Sequence, residues 1–254
     1  MTEVQSLARG LKILDMLAFA EDTISVTDVA QRLEVDKSSA SRLLHTLALY
    51  GYADQDPDSR RYRLSSRVMT LSRQLIKRMP LRQQAKPFLY DLVEVTGEAA
   101  HVAVYAQGQA MVIADVESNR TLRVAGGIGR LAPLYCTAIG KSLLEFSGAP
   151  VPSEMPAKTD RTITSPKQLS YHLEEIRFKG YALDDEETDD GVRCLAVPVY
   201  DYSGDAIATL GISGPAMRLT VERVPELADA VKACSRRLSE RLGYQPHIAH
   251  RNRD

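Results

Sequence analysis

The sequence has no run of about 18 apolar residues, which excludes a helix able to span a bilayer. Met1-Thr2-Glu3-Val4-Gln5 lacks the basic-then-apolar order of a secretory signal. Cysteine is scarce. Cys136, Cys194 and Cys234 are widely spaced and odd in number, which fits reduced thiols better than a disulfide framework. No Cys-x-x-Cys pair suggests a zinc site. Gly140-Lys141-Ser142 has the end of a phosphate loop, but none of residues 134–139 is glycine, so a nucleotide site is not expected. These absences predict a cytoplasmic chain with no membrane partner, no metal and no cofactor. Excess charge of one sign is lacking too: 32 basic and 33 acidic residues leave a net charge of -1. That balance argues against a protein that coats nucleic acid without regard to sequence.

What is present is an uneven distribution of charge along 254 residues, a length that suits one large domain or two ordinary ones. Between Arg32 and Arg78 stand ten Lys or Arg residues against five acids. By contrast, residues 184–190 carry six acids in seven positions. One stretch suits phosphate and the other repels it.

The basic stretch has the order of a winged helix-turn-helix. A first helix is expected over Ser6–Phe19, with Leu7, Leu11, Leu14 and Ala18 on its apolar stripe. Ser25-Val26-Thr27-Asp28 has the form of a capping box, and Val26, Val29, Ala30 and Leu33 repeat on one face behind it. Asp36 can cap the next helix, where Ala40, Leu43, Leu44 and Leu47 keep the same spacing. Opposite that stripe stand Lys37, Ser38, Ser39, Ser41, Arg42 and His45. Small hydroxyls let a helix enter the major groove closely, while Lys and Arg reach phosphates and guanine edges. His45 reads equally well as a solvated surface residue. Asp56-Pro57-Asp58-Ser59 is a reverse turn between two short strands, a hairpin wing carrying Arg60, Arg61 and Arg63 toward backbone or minor groove.

The run Leu7 to Leu14, the helix Asp36 to Leu47, and Gly51-Tyr52 through Tyr62-Arg63-Leu64 together resemble the IclR family of regulators. The likeness continues almost to Leu242. It implies an α+β chain: a winged helix-turn-helix over residues 1–65, a linker helix over 66–80, and a GAF-like effector domain with an antiparallel sheet over 81–246. It also implies double-stranded operator DNA and a small carboxylate effector as partners, a homodimer or homotetramer paired through the linker, and most simply a repressor.

The residues themselves support a mixed second half. Ser66 starts a helix whose Val68, Met69, Leu71, Leu75, Ile76 and Met79 need cover before Pro80. A helix follows to about Gly97, with Pro87 either kinking it or marking its first turn. Strands are expected at residues 101–105 and 111–116. Residues 194–200 and 206–213 read as a hairpin about Asp201-Tyr202-Ser203-Gly204, with Pro198 at an edge or bulge. A long helix over Val221–Leu242 closes the chain.

A helix beginning near Thr137 has free amides at its start, which can either serve a simple cap or receive a carboxylate. The resemblance favours the second and assigns the effector to the amides of Ala138 and Ile139, with Asp184 accepting from a ligand hydroxyl. Val192, Cys194 and Ser213 complete that pocket. Gly211 stands where a hydroxyl residue can occur in the family, so the identity of the acid is not carried over. Read without the resemblance, the acidic run is a solvated loop, since EF-hand spacing is absent. Two rivals remain: a Cys-dependent GAF-like redox enzyme with Cys194 as nucleophile and His101 as base, and a DNA-binding protein that needs no ligand.

Overall fold

The structure, a computed structural model, describes residues 3–77 and 80–245, and no side chain at 72, 73, 75–77 or 80. Leu75, Ile76 and Met79, expected to need burial, lie outside the described side chains. Chain contacts divide it into two compact units, Met1–Met79 and Pro80–Asp254.

In the first unit, α1 (Gln5–Ala18), α2 (Val26–Arg32) and α3 (Lys37–Leu49) precede a hairpin, β1 (Ala53–Gln55) and β2 (Tyr62–Leu64), and α4 (Arg67–Lys77). The capping box forms: the Ser25 hydroxyl accepts from the Asp28 amide at 3.1 Å, and the Asp28 carboxylate accepts from the Ser25 amide at 2.8 Å. The core gathers Ile13, Leu17, Val29, Ala30, Ala40, Leu44, Ala53 and Tyr62. A backbone bridge between Ile24 and Tyr62 ties the wing to the residues before α2. The α1 stripe differs from expectation. Ile13 and Leu17 are buried, whereas Leu7 and Leu11 remain 62% and 54% exposed. The helix has two apolar stripes, and packing against α3 and β2 selects the one the sequence spacing did not favour.

The second unit begins with α5 (Pro80–Thr96), in which Pro87 is internal, so the helix does not start there. Its sheet contains β3 (Ala99–Ala106), β4 (Gln109–Val116), β5 (Leu131–Ala132), β6 (Ala182–Asp185), β7 (Val192–Tyr200) and β8 (Ala206–Pro215). They lie in the order β5-β4-β3-β8-β7-β6, every pair antiparallel. The expected hairpin is β7–β8. Pro198 pairs with Thr209 on that side and lies beyond the end of β6 on the other, so its missing N–H leaves no ladder bond unmade.

Alternation along the strands gives the sheet two covered faces. Cys194 and Ala196 turn toward α6 (Ala138–Phe146), packed with Ile139, Leu143 and Leu144. Leu195, Val197 and Val199 point the other way, where α5 and α8 (Val224–Arg241) pack on the sheet and on each other. The inward residues of α8 are those its spacing marks: Val224, Leu227, Ala228, Val231, Cys234 and Leu238. Residues 221–223 form a short 3-10 turn rather than the helix start. A further helix, α7 (Pro166–Lys179), and strands β5 and β6 were not foreseen.

The acidic run is not a solvated loop. Asp184 and Glu187 are buried, cations from elsewhere in the chain meet Asp185, Glu186 and Glu187, and only Asp189 and Asp190 stay exposed. Arg193 pairs with Asp185, Arg161 reaches Asp185 and Glu186 at 3.3 and 3.2 Å, and Lys141 meets Glu187. Buried acids need such partners, and none stands next to them in sequence.

Candidate DNA-binding face and ligand pocket

On the first unit, Asp36 caps α3, accepting from the Ser39 amide at 2.8 Å. It also accepts from the Ser38 and Ser39 hydroxyls at 2.5 and 2.8 Å. These bonds, that of Ser38 foremost, hold its carboxyl well below the usual carboxylate range. Both hydroxyl protons are turned to the cap, leaving oxygen lone pairs outward. Lys37, Ser38, Ser41, Arg42 and His45 are exposed and Ser39 is half-buried, all away from Ala40 and Leu44.

In the wing, Arg60 adopts a left-handed φ of 58° and its amide donates to the Asp56 carbonyl at 3.0 Å, closing the turn. Arg60 and Arg63 are exposed. Arg61 is placed differently. Its guanidinium donates to the Thr23 hydroxyl at 2.9 Å, the Thr23 carbonyl at 2.8 Å and Asp28 at 3.3 Å. That side chain braces the wing against the start of α2. No sequence signal marks it, because the three arginines stand close together with similar neighbours.

On the second unit, strand register brings together residues far apart in sequence. One row across the sheet runs Asp184, Cys194, Ser213, Ala99, and the next runs Ala182, Ala196, Gly211, His101, Asp115. The N-terminus of α6 lies over these rows. Thr137 caps it, its hydroxyl accepting from the Gly140 amide at 3.0 Å. The amides of Ala138 and Ile139 have no partner among the described residues. A cavity of about 30 Å³ is lined by Ala138, Ile139, Asp184, Val192, Cys194, Ser213, His101 and Arg130. A second, of about 20 Å³, shares His101, Arg130, Ile139 and Ser213 and includes Gly126 and Gly127. The six predicted effector residues other than Gly211 thus line one space, and Gly211 forms the sheet beside it.

Gly211 has a steric reason. A Cβ there would press on the Leu195 carbonyl oxygen and stand 3.2 Å from His101 Nε2. His101 is more than nine-tenths buried. Burial, and then the charge of Arg130, push its imidazole down to about 4, so it is neutral at physiological pH. The unfolded chain therefore takes up a proton first as pH falls from about 6.5, and the folded chain only near 4. Stability should drop across that window, and His101→Gln should flatten the drop in unfolding midpoints measured between pH 7 and 4.5.

Asp184 is 2% exposed, and its oxygens accept from the Glu187 amide and the Thr188 hydroxyl, each at 2.8 Å. Its carboxyl is raised, by burial first. Lys141 on α6 joins Glu187, tying the helix to the turn after β6, and so is not available to a phosphate. A wider cleft of about 190 Å³ lies by α8, but the Ser235 and Ser239 hydroxyls in it donate to the carbonyls of Pro198 and Ser235.

Cys194 bears on the enzyme alternative. Its thiol accepts from the Ser213 hydroxyl at 3.1 Å, and burial, reinforced by Asp184, pushes it up to about 12. A nucleophilic cysteine needs the opposite shift.

A capped helix-turn-helix with a basic wing, joined to a separate sheet-and-helix unit, is the build of a transcription regulator. Residues 6–57 match the IclR helix-turn-helix domain, and residues 73–240 match the family described as bacterial transcriptional regulator IclR C-terminal. The chain is 33% identical over 250 residues to the HTH-type transcriptional regulator KdgR of Escherichia coli, covering 96% of this chain and 95% of that one. It is 32% identical over 237 residues to the acetate operon repressor of Salmonella typhimurium, covering 90% and 86%. The crystal structure of the Thermotoga maritima IclR superposes with a TM-score of 0.73 at 30% identity, covering 95% of this chain and all of that one. The chain belongs to the IclR family, a transcriptional regulator and not an enzyme. Among the described residues, no helix is long and apolar enough to cross a membrane.

Proposed function

We propose that this regulator, in the cytoplasm, holds a two-part operator as a homodimer or a homotetramer, and that a small organic acid in the second unit changes its grip. Lys37, Ser38, Ser39, Ser41, Arg42 and His45 enter the major groove, while Arg60 and Arg63 follow the backbone beside it. Arg61 contributes by holding the wing in place. Residues 1–65 are the DNA-binding domain, 66–80 the linker and 81–246 the effector domain. The exposed Leu7, Leu11 and Leu71 give the first unit an apolar surface for a second copy. The acetate operon repressor among its relatives supports repression as the sense of control.

The observation that carries the ligand reading is the pair of unpartnered amides at Ala138 and Ile139, aimed into a space walled by Asp184, Val192, Cys194 and Ser213. Free amides and the helix dipole favour a carboxylate. Cavities this small hold a water or two, so an acid enters by displacing the stretch from Val124 to Gly127 that lines the space. That displacement is the differential contact through which binding biases the DNA-binding heads.

The test is a thermal-shift screen of small hydroxy, keto, sugar and aromatic acids on the purified chain. A ligand at 100 times its dissociation constant should add about 2.7 kcal/mol. Asp184→Ala should remove the response while DNA binding persists, because the turn at 184–188 no longer holds its shape. Loss of DNA binding in that variant, or no stabilisation by any acid, would contradict the reading.

A further inference from the structure

Most polar groups lining the pocket are already matched. The Ser213 hydroxyl donates to Cys194, the Thr188 hydroxyl donates to Asp184, and the Thr137 hydroxyl donates to the Pro133 carbonyl at 2.6 Å. Each Asp184 oxygen already accepts a hydrogen bond. What remains on the walls nearest α6 and β3 is donor capacity: the Ala138 and Ile139 amides at one side, and His101 with Arg130 at the other. The His101 imidazole is buried without a hydrogen bond, and the Arg130 guanidinium, exposed at the mouth, has neither a hydrogen bond nor an ion pair among the described residues. Two carboxylates there lack a hydrogen bond or ion pair among the described residues: Asp189, exposed at the rim, and Asp115, beside His101 on β4, whose charge is opposed by that of Arg130.

His101 also answers the absence of a hydroxyl at Gly211. The two residues are directly paired on β3 and β8, and Nε2 lies 3.2 Å from where a Cβ on Gly211 would stand. An imidazole nitrogen from the neighbouring strand thus occupies the place a side chain at 211 would use. A neutral imidazole keeps one N–H to donate.

We propose that the pocket reads a short dicarboxylate, one carboxylate on the Ala138 and Ile139 amides and the other on His101 and Arg130, with His101 as the residue that sets this preference. This rests on the ligand reading above and deepens it. Two anionic ends match two separate groups of donors, whereas an acid with an apolar far end would bury His101 unmatched. An unmatched buried polar group is costly, which turns the site against monoacids of the same length.

The experiment is calorimetric titration of the full chain with succinate, malonate, butyrate and propionate, at fixed salt and pH. Wild type should bind at least one diacid about tenfold more tightly than the monoacid of equal length. Arg130→Gln, a change at an exposed position that leaves the core intact, should lower diacid affinity about tenfold and monoacid affinity little. His101→Leu should do the same, and His101→Gln should recover part of the loss. If monoacids bind as well as diacids, or if neither Arg130→Gln nor His101→Leu alters the preference, the dicarboxylate assignment is overturned while the pocket stands. If none of the four binds but another acid stabilises the chain, the assignment fails alone. If no acid binds at all, the pocket reading fails with it.

Discussion

Lys141→Ala is expected to destabilise the C-terminal unit by about 3–5 kcal/mol, the usual cost of orphaning a buried charge. The Lys141 side chain is wholly buried and that of Glu187 is 6% exposed. Removing the ammonium leaves a carboxylate whose second oxygen, Oε2, already has no hydrogen-bond partner. Burial has raised the Glu187 carboxyl to about 7, and Asp184 beside it adds to the rise while Lys141 opposes it. The sign follows from proton linkage. A carboxyl with a raised folded pKa contributes stability that is complete below about 4.5 and is lost as pH climbs through about 7. Without Lys141 the main opposition to that loss is gone, so the deficit of the variant should be larger at pH 8 than at pH 5. Lys141→Met combined with Glu187→Gln, which removes both charges, should cost less than Lys141→Ala alone. Urea unfolding at the two pH values decides it. An equal, small loss at both would mean that Lys141 is not paired in the folded chain.

The second large effect concerns DNA. Arg42→Ala should lower operator affinity by about 1–3 kcal/mol and relax preference at the base it reads. Arg63→Ala should weaken all sequences alike and reduce the slope of log K against log salt by about 0.9. Arg61→Ala should behave unlike either. Its donors are committed to Thr23 and Asp28, so the loss of affinity should come with a lower unfolding temperature of the N-terminal unit. Binding isotherms over a salt series, on a sequence selected from genomic fragments, separate the three. Identical slopes for wild type and Arg63→Ala would remove Arg63 from the interface.

The helix-turn-helix was legible because its signals are local. Ser25 with Asp28, Asp36 before α3, and the spacing of Ala40 and Leu44 all act within a turn or two of helix. The β7–β8 hairpin was legible for the same reason. What the sequence hid depends on distant partners. The face of α1 that packs is chosen by α3 and β2, so Leu7 and Leu11 looked buried while Ile13 and Leu17 are. The acid run looked solvated because Arg161, Arg193 and Lys141 come from elsewhere in the chain. His101 was readable only as a base for Cys194. The register that pairs it with Gly211 is a property of the assembled sheet.

Control of DNA affinity by an acid in the second unit is tested most directly by the operator dissociation constant, measured with and without saturating acid at fixed salt. Wild type should change by about 5- to 150-fold, the range of ordinary coupling energies, and Asp184→Ala should not change. An acid that calorimetry shows bound to the wild-type chain, yet leaves its hold on the operator unaltered, would contradict the account.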